Sequence, residues 1–74
     1  MVKVVLTYAP DGTIPNKAQL LALAKIAGAY KADEARAMPG AFGLSSSYLG
    51  FTLVDRHKSH LLTGGIDQEG SIST

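Results

Sequence analysis

The chain has 74 residues, 46% hydrophobic and 18% charged, with seven Lys or Arg against six Asp or Glu and a net charge of +1. That balance excludes wholesale disorder, and it lacks the clustered basic surface that sequence-independent binding to duplex nucleic acid requires. No cysteine is present, so neither a disulfide nor a thiolate zinc site supplements a core of marginal size, and association is the remaining support.

Val2 to Ala9 is rich in β-branched residues, with Val2, Val4 and Leu6 on one face and Lys3, Val5 and Thr7 on the other. Val5 among the outward residues predicts a strand buried on both sides, hence a central one. Pro10, Asp11 and Gly12 signal a turn, and the loop runs on through Thr13 to a helix cap.

Asn16 to Lys31, NKAQLLALAKIAGAYK, is the longest periodic segment and predicts an α-helix. Asn16 suits the N-cap, Gln19 completes a capping box, and Pro15 suits entry from an extended turn. Steps of ~100° group Leu20, Leu23, Ala24, Ile26, Ala27 and Tyr30 into a stripe expected to cover a sheet. The back holds Ala18, Ala22, Lys25 and Ala29, flanked by Leu21 and Gly28. A helix that is apolar or small nearly all round is usually covered on both sides. So short a chain has little left to cover that back, which makes Ala18, Leu21, Ala22, Lys25 and Ala29 the expected oligomer interface. Against this stands the simple fact that alanine is the best helix former and needs no partner.

Ala32 to Met38 has high helical propensity and ends at Pro39-Gly40. Three continuations fit: a kink, a short second helix capped by Asp33, or a helix that outruns its sheet. Gly40 to Ser47 is a loop by composition, with Phe42 and Leu44 expected on the core. Tyr48 to Asp55 alternates Leu49, Phe51 and Leu53 against Tyr48, Thr52 and Val54, the clearest second strand, and Gly50 marks a bulge or close approach. Arg56 to Ser59 is a connection of hairpin length into a strand at His60 to Thr63, which Gly64-Gly65 break or bend. Residues 67–74 form a frayed tail or a short edge strand. The fold expected is a single α+β domain: a small, mainly antiparallel sheet in β-α-β-β order, one principal helix packed across it, and room for a short second helix.

Two places invite an anionic ligand. The strand-to-helix turn offers backbone N–H groups and the helix dipole, with Thr13, Asn16 and Lys17 as added donors, although no phosphate-loop or dinucleotide pattern is present. The segment DRHKSH gathers Arg56, His57, Lys58 and His60, a basic cluster suited to phosphate or an acidic partner, or simply a solvated hairpin tip. His57 and His60 make a poor metal pair, since residues three apart on a hairpin face opposite ways and no third ligand is fixed. Ser45, Ser46 and Ser47 lack a nucleophile-elbow context. No metal, cofactor or enzymatic activity is expected.

Lys25 interrupts the best candidate for a membrane span, and VKVVLTYA after Met1 is too short for a signal-peptide core. A cytoplasmic location is therefore expected. The leading functional expectation is a non-enzymatic homo-oligomer that occupies or inhibits a protein partner, as small phage and mobile-element proteins illustrate. The alternative is an oligomeric module holding a small phosphorylated or nucleotide-like molecule at a subunit interface.

Overall fold

The computed structural model describes residues 2–7, 14–39 and 48–74. The expected turn at Pro10–Gly12, the donor Thr13, and the loop with Phe42, Leu44 and Ser45 to Ser47 fall outside them. The elements are β1 (Lys3–Leu6), α1 (Lys17–Ala29), β2 (Glu34–Pro39), β3 (Leu49–Val54), β4 (His60–Ile66) and β5 (Ile72–Ser73). They form one five-stranded sheet in the order β1-β2-β3-β4-β5. The β1–β2 pair is parallel and the other three pairs are antiparallel. The α+β fold with one helix over a mainly antiparallel sheet is thus as expected.

α1 begins where the sequence places it. Asn16 Oδ1 accepts from Gln19 N–H at 2.8 Å, and Asn16 N–H donates to Gln19 Oε1 at 3.1 Å, closing the capping box. The helix ends in a Schellman motif: Lys31 N–H donates to Gly28 C=O and Ala32 N–H to Ala27 C=O, with Lys31 left-handed at φ 53°.

That cap corrects the helical reading of Ala32 to Met38, which is instead the strand β2, second in the sheet. Tertiary pairing overrides propensity here. Ala35 and Ala37 lie beneath α1, where their small side chains let the helix sit close, while Glu34, Arg36 and Met38 face the other way. The expectation that β1 is central also fails: among the described strands it lies at the edge of the sheet, and Val4 is 44% exposed. Gly64 and Gly65 do not break β4, which runs through them to Ile66. A side chain at Gly64 would meet Ser73 O at 2.5 Å, so the missing Cβ is what lets β5 approach. The register irregularity of the β3–β4 pair lies at Leu53/Val54, where Leu61 of β4 is the extra residue, rather than at Gly50.

The core joins Leu23 and Ala27 of α1 to Ala35, Ala37, Leu49, Phe51, Leu53 and Ile66 of the sheet. α1 is rotated relative to its expected stripe. Gln19, Leu23 and Ala27 are buried and Ala18, Ala22 and Ile26 half-buried, whereas Leu20, Ala24 and Tyr30 are exposed. Gln19 goes inward because its side chain has work there beyond the cap: Nε2 donates to Ile66 C=O at 3.2 Å, tying α1 to β4. Among the described residues, no helix is long and apolar enough to cross a membrane.

Candidate functional site

The face of the sheet opposite α1 carries the chemistry. Strand register sets Lys3, Glu34, Val54 and His60 in one row, and Val5, Arg36, Thr52 and Thr63 in the next. Glu34 is the one acid among the described strand residues, and it is buried at 7% exposure. Its Oε1 accepts from Arg36 Nε at 3.1 Å and its Oε2 from Lys58 Nζ at 2.6 Å. A carboxylate out of water requires such partners. Beside it, Thr52 Oγ1 and Thr63 Oγ1 share a hydrogen bond at 3.3 Å, and the His60 ring bonds to Thr63 Oγ1. A depression of about 240 Å³ lies next to this cluster, lined by Thr7, Arg36, Ala37, Met38, Gly50, Phe51 and Thr52.

Lys58 reaches Glu34 from the β3–β4 turn, which has a twin. In the first turn, Asp55 Oδ1 accepts from His57 N–H and Ser59 N–H, and Asp55 C=O accepts from Lys58 N–H. In the β4–β5 turn, Asp67 binds Glu69, Ser71 and Gly70 in the same way. The residue before the serine is left-handed in both, Gly70 at φ 87° and Lys58 at φ 65°. Glycine takes that conformation freely, and a lysine does not. The first turn therefore carries a strained residue whose ammonium is the one that reaches Glu34.

The hydrogen bonds from Lys58 and Arg36 hold the Glu34 carboxyl at about 2, against an ordinary 4.5, with burial opposing. Asp55 is also lowered, chiefly by the Ser59 N–H. A carboxyl that binds protons more weakly when folded stabilises the fold fully above its unfolded value. That contribution is lost as pH falls from about 4.5 toward about 2. Urea titrations at stepped pH should show stability declining across that window. Glu34→Gln should be less stable than wild type near neutrality and converge with it near the bottom of the range. A residual slope from Asp55 should remain; an unchanged slope would mean that Glu34 is not the group responsible.

The expected anion ligands are not brought together. Asn16 caps α1, and its Nδ2 donates to Gln68 C=O at 3.0 Å beyond the end of β4, with Lys17 exposed beside it. Arg56, His57 and Lys58 sit in the turn before β4, a seven-residue strand that spans roughly 23 Å. Arg56 Nε contacts His57 Nε2 at 3.3 Å, and Lys58 is occupied by Glu34. Of the expected interface, Leu21, Lys25 and Ala29 are exposed, whereas Ala18 and Ala22 are half-buried against the chain itself. Among the described residues, no group of three or more His, Cys, Asp or Glu is placed to hold a metal. Glu34 and Arg36 were missed because their segment reads as helix; the strand alternation in EARAMP was the available signal.

Comparison with protein families, with characterised proteins and with solved structures gives no significant match, so the functional reading rests on these residues.

Proposed function

We propose that the chain is a non-enzymatic, homo-oligomeric binding protein that acts by occupying a protein partner, and that its copies meet through the outer face of α1 and the free edge of β1. The observation behind this is apolar exposure on α1 and on the β1 edge: Leu21 at 60% and Leu20 at 39% on the helix, and Val4 at 44% on the strand. Ala18 adjoins Gly70 of the β4–β5 turn. Leu20, on the opposite flank of the helix, therefore turns toward β1. No described strand pairs with the outer edge of β1, and an unpaired edge is a template for another strand.

Area favours using both features. A 13-residue helix offers a face of about 20 Å by 10 Å, well short of the roughly 800 Å² per partner in a standard interface. The strand edge, with the exposed Val4, extends that area. α1 contains no acid, and Lys17 and Lys25 lie on its exposed side, which suits a partner with an acidic rim.

Gly28 supplies a test. A Cβ there would meet nothing within 4 Å, so in an isolated chain Gly28→Ala should stabilise the helix by about 0.5–1 kcal/mol. If a second copy approaches at this face, the added methyl should weaken association while the fold gains stability. Light scattering across a concentration series separates the two effects, with Leu21→Glu expected to give monomers. A wild-type chain that stays monomeric at about millimolar concentration removes the oligomeric reading.

A further inference from the structure

We infer that the depression beside Arg36 is a binding site for a small oxyanion, with the Arg36 guanidinium as its anchor. The ion pair with Glu34 uses only the Nε of Arg36, which orients the guanidinium and leaves both terminal amino groups without a partner among the described residues. Two such N–H groups match a phosphate or carboxylate edge. An anchor fixed in advance by a buried carboxylate loses little further freedom when a ligand arrives.

The surrounding charge points the same way. Glu34 is outweighed by Arg36 and Lys58, and Lys3 stands opposite Glu34 on β1. Thr7 and Thr52 line the depression beside Arg36, and Gly50 leaves its lining without a side chain at that position. The strained backbone at Lys58 is accounted for by the same arrangement: its ammonium offsets Glu34 and leaves the outer donors of Arg36 for a ligand.

Size limits the ligand class. A volume of about 240 Å³ falls below the roughly 300–1,000 Å³ of typical ligand pockets. That suits a phosphate or carboxylate on a short carbon body better than a whole nucleotide. The site lies on the sheet face opposite α1, away from the helix surface used in the assembly proposed above, while its Thr7 directly follows the β1 edge.

The test is a backbone-amide NMR titration of the full chain with inorganic phosphate and, separately, succinate, up to about 50 mM at constant ionic strength set with chloride. Saturable shifts centred on Thr7, Arg36, Gly50 and Thr52 with either anion, absent with chloride, are the expected result, and the tighter anion identifies the oxyanion class. Arg36→Gln should weaken that binding by about tenfold or more. Thr52→Val, which keeps the Arg36–Glu34 pair, should weaken it by less and guards against misfolding of the first variant. No saturable shift with either anion, equal binding by Arg36→Gln, or shifts centred on Asn16 or Arg56 would overturn the assignment.

Discussion

Phe51→Ala should remove about 3–5 kcal/mol of folding stability, the largest loss expected from any single truncation among the described residues. Phe51 is 1% exposed and heads the fully buried side chains by volume. Its cross-strand neighbours are Ala37 on β2 and Gly64 on β4. A Cβ at Gly64 would lie 3.1 Å from the ring's Cζ, so the ring fills the space those two small residues leave. Alanine and glycine have nothing to extend into the void, which places the cost toward the upper end of the range. For 74 residues, total stability is of order 4–11 kcal/mol, so the variant should be largely unfolded or have a much lower urea midpoint. Tyr30→Ala, at a residue 49% exposed, should change stability by no more than about 0.5 kcal/mol. A loss at Phe51 below about 1.5 kcal/mol would mean that the ring is not the centre of this core.

The parts of the fold legible in the sequence are those where local and tertiary preferences agree. Asn16 and Gln19 announce the start of α1 and form it. Leu49, Phe51 and Leu53 alternate in the sequence and line the core. Where the two preferences conflict, residue patterns mislead. Ala35 and Ala37 have the composition of a helix because a helix lies over them, not because they belong to one. Val5 suggested a buried strand, but a strand's place in the sheet is decided by pairing, which single-strand composition does not record. Gln19 was legible as a cap residue, while its bond to Ile66 C=O, 47 positions away, depends on the assembled fold.

The candidate site was half legible. DRHKS drew notice for its charge, and DQEGS twelve residues later repeats its skeleton with glycine where Lys58 stands. That comparison marks Lys58 as a residue in a backbone conformation that suits glycine. What no spacing shows is the carboxylate it meets, because Glu34 lies 24 positions away across two strands. Arg36 became a candidate only once strand parity set it on the same face as Thr52, and the helical reading of its segment hid that parity.

Ala35→Leu tests that reversal directly. Ala35 is 0% exposed, pairs with Val4 and Leu53, and belongs to the core that Leu23 and Ala27 of α1 close from above. Added methylenes there must lift α1 or force neighbours off their rotamers, at a cost of about 1–3 kcal/mol or more. Were residues 34–39 helical and surface-facing, the same change would be close to neutral, since leucine nearly equals alanine in helix propensity. Ala24→Leu, on the exposed side of α1, should shift the urea midpoint of the dilute chain little in either direction. A large loss at position 35 beside a small change at position 24 is the signature of a strand beneath a close-packed helix. The reverse order would restore the helical reading, and Arg36 would then no longer be set on the sheet face with Thr52.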